Sequence, residues 1–310
     1  MDKRDFLSVH DLSAHEVEGL LRLTADVKAH PERYADRLAG KTLAMIFQKS
    51  STRTRVSFEV GTWQLGGQAL FLSARDIQIG RGETISDTAH VLSRYVHGIM
   101  ARTFAHQDVV DLARFGTVPV INGLTDDLHP CQAVADVFTL REVFGELAGR
   151  KLAYVGDGNN VAHSLLFAAA KCGMDIAIAS PAGYRVNPGY LDLARQDAEA
   201  AGTGIQITTD PREAVEGACA VYTDVWASMG QEAEAMERQA AFEGYCVDEA
   251  LMAHALPEAV FLHCLPAHRG EEVSAAVADG PQSRIFDEAE NRLHAQKAIM
   301  LWLMGGVELV

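Results

Sequence analysis

Leu43-Ala44-Met45-Ile46-Phe47-Gln48-Lys49-Ser50-Ser51-Thr52-Arg53-Thr54-Arg55 reads as a strand, a turn and the first turn of a helix, and much of the chain repeats that order. Apolar residues without alternation, Leu43 to Phe47, predict a strand covered on both faces. The helical spacing of Val56, Val60 and Trp63 predicts the helix that follows. Its first N–H groups have no backbone partner. Ser and Thr are favoured at such a start, and the helix dipole favours an anion there by ~0.3–1 kcal/mol. Hydroxyls, amides and an arginine would therefore converge on one phosphate. Taken alone, a Ser-Thr-Arg triplet is more often an ordinary helix cap with solvated arginines.

Working outward, further apolar runs occur at Gly98–Ala101, Val118–Ile121, Leu152–Val155, Ile176–Ala179, Ala220–Thr223 and Val260–Cys264, each followed by a turn and a helical pattern. Strand alternating with helix predicts an α/β chain of parallel sheets flanked by helices, with ligands at the carboxyl ends of the strands. A length of 310 residues favours two domains around a cleft. The helical pattern Pro130–Phe144 runs into Gly145-Glu146-Leu147-Ala148-Gly149, a junction that divides the chain into a domain at 1–145 and a second at 146–287. The last helical pattern, from about Asp287 to Met304, has too large an apolar face for a tail, and the segment 288–310 is expected to pack back on the first domain.

Lys and Arg number 27 against 42 Asp and Glu, a net charge of −15. A field of that sign repels nucleic acid and anionic membrane. It repels a phosphorylated metabolite too, so an anion site must be a local cluster of Arg, His and backbone N–H groups. The 5 cysteines (Cys131, Cys172, Cys219, Cys246, Cys264) form no CxxC pair, which suits reduced thiols. Met1-Asp2-Lys3-Arg4-Asp5 has no signal-peptide character and no run approaches the ~20 apolar residues of a membrane span. A cytoplasmic enzyme is expected.

Other strand ends carry polar groups that a purely structural role explains poorly. Arg102 follows Gly98–Ala101, and a half-buried arginine needs an anionic partner. His129-Pro130-Cys131-Gln132 opens the next helix, where Pro suits the first position and His and Gln offer donors at the positive end. Ser51-Thr52-Arg53-Thr54-Arg55, Arg102, His129-Pro130-Cys131-Gln132, Asp224-Val225-Trp226-Ala227-Ser228-Met229-Gly230 and His263-Cys264-Leu265-Pro266 together resemble the carbamoyltransferases. In order and spacing they are similar to the ornithine-type branch, and the resemblance spans essentially the whole chain.

That resemblance implies a transfer of the carbamoyl group from carbamoyl phosphate to the δ-amine of L-ornithine, giving citrulline and phosphate, with no metal or organic cofactor. It implies that Ser51, Thr52, Arg53, Thr54, Arg102, His129 and Gln132 hold carbamoyl phosphate, and that Cys264, Leu265 and Arg292 complete the site. Gln78 looks like the residue that reaches a neighbouring subunit, which implies a trimer or a multiple of trimers with intersubunit sites. Asn160, Asp224, Ser228 and Met229 fall on the ornithine-binding positions. Arg102, His129, Asp224 and Cys264 would carry the chemistry, the thiol either assisting deprotonation of the amine or orienting it. Ser228-Met229-Gly230 matches a mobile loop, though such a stretch is also an ordinary surface turn.

Three other readings compete. Gly156-Asp157-Gly158-Asn159-Asn160 follows a strand as a dinucleotide fingerprint does, but Val161 stands where the third glycine belongs. A metal protein using His129, Cys131, His263, Cys264 and His268 is opposed by Pro266, which breaks the helix that would bring Cys264 and His268 together. Within the family, putrescine or an N-acylated ornithine is the alternative acceptor, and aspartate fits the Ser228 and His263 motifs poorly.

Overall fold

The structure, a computed structural model, describes residues 3–79, 82–227 and 234–309. Its strands are β1 (Thr42–Phe47), β2 (Gln68–Ser73), β3 (Gly98–Arg102), β4 (Val120–Leu124), β5 (Lys151–Val155), β6 (Asp175–Ala179), β7 (Ile205–Thr208), β8 (Ala220–Tyr222) and β9 (Val260–Leu262). Helices α1 (Ala14–Ala29), α2 (Thr52–Gln64), α3 (Ile85–Leu92), α4 (His106–Phe115), α5 (Pro130–Phe144) and α6 (Asn160–Lys171) intervene. They are followed by α7 (Pro188–Ala201), α8 (Pro211–Val215), α9 (Ala235–Ala241), α10 (Glu249–Met252), α11 (Ala275–Ala278) and α12 (Ile285–Leu303). The chain divides into one unit of residues 1–135 with 290–310, and a second of 136–289.

In the first unit a parallel sheet has the order β2-β1-β3-β4. Ala44, Ile46, Ile99, Ala101 and Val120 are almost fully buried on it, each larger side chain contributing about 1.5–3 kcal/mol. The β3–β4 register slips between Ala101 and Arg102, so that Arg102 pairs with Leu124 and Gly123 is bypassed. A side chain at Gly123 would meet Met100 Sδ at 2.5 Å. Such an irregularity re-aims the residue beside it, here Arg102. The carboxyl-terminal helix packs back on this unit: Lys297 Nζ donates to Gln64 Oε1, and Met300 lies against Gly61 and Thr62 of α2.

The second unit carries the parallel order β7-β6-β5-β8-β9. Its core sets Val155, Ala177, Val221 and Phe261 against Trp226, Phe242 and Val247. Two strands that the apolar pattern does not reveal, β2 and β7, lie at sheet edges. Their residues are only half-buried or exposed, so they lack the unbroken apolar runs of covered strands. Each sheet has one place where the direction of strand addition reverses, between β1 and β3 and between β5 and β8, and ligands of open parallel sheets bind at such points. Among the described residues no helix is long and apolar enough to cross a membrane.

Candidate active site

At the first reversal, β1 delivers the chain through Gln48-Lys49-Ser50 into α2. Ser51 takes an extended conformation and its Oγ accepts from the Thr54 N–H at 3.2 Å, the helix cap expected of that residue type. Gln48 fixes the turn: its backbone N–H donates to Arg102 O, and its Oε1 accepts from the Phe104 N–H at 3.0 Å. Lys49 forms an ion pair with Asp126 and lies over the Phe104 ring. Thr52 is exposed and Arg53 half-buried. Arg55 is drawn off to the surface, pairing with Glu59 at 3.4 Å and covering the Phe71 ring.

Thr54 is the centre of the cluster. Its buried Oγ1 accepts from Arg102 Nη1 at 3.5 Å and from Arg292 Nη2 at 3.3 Å, bringing together groups from β3, α2 and α12. Arg292 Nη1 also donates to Gln132 Oε1 at 2.5 Å. With its amide oxygen turned toward the guanidinium, Gln296 accepts from Arg292 Nη2 at 2.9 Å and donates to Ser57. His129 is buried at the start of α5. Its pKa is pushed well below the ordinary imidazole value, first by burial and then by the charges of Arg292, Arg102 and Arg53. The ring is therefore neutral, able to donate one hydrogen bond and accept another. Against the negative charge of the whole chain this is a local positive site built for an anion.

One consequence is measurable without any ligand. An imidazole whose pKa is lowered in the folded chain binds a proton more readily when unfolded, so stability falls as pH drops below about 6.5. His129→Gln removes that contribution, and the difference between variant and wild type is expected to change by up to about 1.4 kcal/mol per pH unit below that point. Urea unfolding at about pH 7 and about pH 5.5 checks this; parallel stability curves would sink it.

The second unit gathers its groups at the other reversal. After β5, Gly158 is required because a Cβ there would lie 2.2 Å from Val186 N. Asn159 caps α6, its Oδ1 accepting from the Val161 and Ala162 N–H groups, and its Nδ2 donates to Asp224 Oδ2 at 2.8 Å. Asn160, which the resemblance assigns to ornithine, is the first residue of α6 and half-buried. Asp224 follows β8, is buried, and its Oδ1 accepts from the Cys264 thiol at 3.1 Å. Burial first, and then the Asp224 charge, push the Cys264 pKa well above the ordinary thiol value. The sulfur is a protonated donor rather than a thiolate.

Cys264 is held by its neighbours. His263 Nδ1 accepts from the Leu265 N–H at 2.9 Å, which leaves the ring proton on Nε2, 3.1 Å from Glu272 Oε1. Leu265 adopts φ 61, a left-handed conformation that costs a branched residue about 1–3 kcal/mol and clusters at functional sites. Glu272 had no sequence signal, because it reaches His263 only through the fold. Among the described residues, two groups offer ligand atoms within 4.8 Å of one another: Asp224, His263 and Cys264, and His268, Glu271 and Glu272. In the first, both nitrogens of His263 already serve the hydrogen bonds just described. Gln78 is exposed between β2 and α3, while Ser228, Met229 and Gly230 lie outside the described residues. Arg238 donates to Asp157 Oδ2 at 2.8 Å and to Trp226 O at 2.9 Å, tying the Asn159 turn to the segment after Asp224.

Residues 4–142 match the family description "Aspartate/ornithine carbamoyltransferase, carbamoyl-P binding domain", and residues 148–303 match "Aspartate/ornithine carbamoyltransferase, Asp/Orn binding domain". The chain is 60% identical over 303 residues to an ornithine carbamoyltransferase of Symbiobacterium thermophilum, covering 97% of this chain and 98% of that one. It is similar to the solved ornithine carbamoyltransferase from Pyrococcus furiosus, with a TM-score of 0.95, 53% identity and 99% of each chain covered. The anabolic ornithine carbamoyltransferase structure from Campylobacter jejuni gives a TM-score of 0.92 at 40% identity, covering 98% of this chain and 99% of that one.

Proposed function

Because the chain belongs to the aspartate/ornithine carbamoyltransferase family, we propose a mechanism in which each unit binds one substrate of the family's transfer. The protein is an ornithine carbamoyltransferase: it moves the carbamoyl group from carbamoyl phosphate to the δ-amine of L-ornithine, giving L-citrulline and phosphate. The observation that carries the mechanism is the convergence of Arg102 and Arg292 on Thr54 beside a neutral His129. In the domain at 1–145, completed by the returning segment 288–310, Ser51, Thr52, Arg53 and Arg292 bind the phosphate, and Gln132 orients Arg292. Arg102, His129 and Thr54 face the carbonyl oxygen, where charge develops as the amine attacks. Planar guanidinium forks then neutralise the departing phosphate.

The amine presents the harder problem. With a pKa of ~10.4 it is neutral in about one molecule in 2,500 at pH 7, a penalty of ~4.6 kcal/mol. Asp224, with Asn159 and Asn160 beside it, takes the α-ammonium end, and Ser228 and Met229 complete the contacts to ornithine. The protonated Cys264 orients the δ-amine, accepting from it while donating to Asp224. Its high pKa supports orientation over general-base action. Cys264→Ala is expected to lower kcat about ten- to hundredfold with little effect on carbamoyl phosphate affinity; the reverse pattern in steady-state and binding measurements rejects this placement.

We further propose a cytoplasmic trimer, or multiple of trimers, in which Gln78 serves the neighbouring site. Large apolar side chains of the first unit, Trp63 and Tyr95 among them, are exposed and available to such an interface. Citrulline formation compared across ornithine, putrescine, N-acetylornithine and aspartate, with the oligomer mass measured alongside, tests the whole reading. A preference for any amine other than ornithine would overturn it.

A further inference from the structure

Two buried carboxyl groups of the second unit are not used by the transfer as described. Asp136 on α5 and Glu288 in the first turn of α12 are both fully buried and hydrogen bond to each other. Ionised carboxylates are acceptors only, so a hydrogen bond between two carboxyl groups requires a proton on one of them. Burial, and then the charge of Asp136, push the Glu288 pKa well above the ordinary carboxylate range. The other contacts of Glu288 run to the strand ends of the amine half-site. Tyr222 Oη, at the end of β8, donates to Glu288 Oε1 at 3.1 Å, and the backbone N–H of His263, after β9, donates to Oε2 at 2.9 Å. The next residue is Cys264, whose thiol meets Asp224. Charged and titratable groups that face the pair include Tyr222, His263 with Glu272, Cys264 and Asp224. Charges on Glu288 and Asp136 also act on the thiol, behind burial and Asp224.

We propose that Asp136 and Glu288 share a single proton and act as a positioning pair: Glu288 holds the backbone that carries Cys264, and the shared proton removes one of two negative charges from the neighbourhood of the attacking amine. The physical need is specific. Each additional buried negative charge stabilises an ammonium, and the δ-amine must be neutral to react. Asp224 already supplies the charge that the α-ammonium needs. The inference rests on reading this half-site as the one for ornithine.

The test uses the whole enzyme with E288A, E288Q and D136N. Infrared spectra of the unliganded enzyme near neutral pH are expected to contain a protonated-carboxyl band that E288Q and D136N each abolish; a wild-type spectrum without it overturns the proposal. E288A is expected to lower kcat/KM for ornithine at least about tenfold, with carbamoyl phosphate affinity held within about twofold. E288Q, which retains an acceptor for the His263 N–H and a donor toward Asp136 at the same net charge, restores most of that loss. An E288Q as impaired as E288A, or a parallel fall in carbamoyl phosphate affinity, overturns the positioning role. A pair bearing two charges would respond otherwise: D136N would move the pH profile of kcat/KM for ornithine by about one unit toward lower pH, whereas a shared proton leaves it in place. Should the wild-type enzyme form no citrulline, the substrate assignment fails, and the infrared band still decides the proton.

Discussion

Replacing Arg102 by leucine is expected to lower kcat by about 10²–10³-fold, the effect of removing one donor to a developing oxyanion. Arg102 ends β3 at the register slip and reaches Thr54 with one guanidinium nitrogen. Arg292 reaches the same hydroxyl from α12 and takes Gln132 as its second partner. Loss of Arg102 therefore leaves the phosphate grip of Arg53 and Arg292 standing, and carbamoyl phosphate affinity is expected to weaken much less than kcat. The same substitution removes one of the three charges that depress His129, so the imidazole pKa rises toward its ordinary value. Single-turnover kinetics, equilibrium binding and an NMR titration of His129 provide three independent readings. A kcat within threefold of wild type would remove Arg102 from the carbonyl oxygen.

How much of this was legible beforehand follows from the distance over which each residue acts. Ser51, Thr54 and the turn before them are readable because strand, turn and cap are neighbours in the chain, and the structure places the cap as the residue types predict. Arg55 belongs to the same motif yet pairs with Glu59 one helical turn on, a local competition that a motif match does not weigh. Arg292 was reachable only through resemblance, since its position in α12 says nothing of Thr54, 238 positions earlier. The same limit hides Glu272 and Glu288. Each reads as an ordinary surface carboxylate in a polar stretch, and each is fully buried against the backbone around Cys264. Asn159 illustrates a finer limit: that it caps α6 and reaches Asp224 follows only once the first helical residue is known, because a cap residue faces back toward the strand ends.

Asp224→Asn is expected to reduce kcat/KM for ornithine by about 10²–10³-fold, chiefly through KM, because removing one partner of a desolvated charge pair costs about 2–5 kcal/mol. Asp224 is buried where three connections meet: Asn159 Nδ2 at 2.8 Å, its own following backbone N–H at 2.8 Å and the Cys264 thiol at 3.1 Å. Asparagine keeps the shape and loses the charge. The α-ammonium of ornithine then enters a buried site without its counter-ion, while Cys264 loses the charge that ranks next to burial in raising its pKa. The thiol pKa is accordingly expected to fall toward its ordinary value, which alkylation rates measured against pH report. n-Butylamine supplies the control, since it keeps one amine on a four-carbon chain and has neither the α-ammonium nor the α-carboxylate: any carbamoylation of it should change far less than that of ornithine. Equal losses for both amines would place Asp224 at the reacting amine instead of the α-ammonium, and an unchanged KM for ornithine would remove it from the binding site.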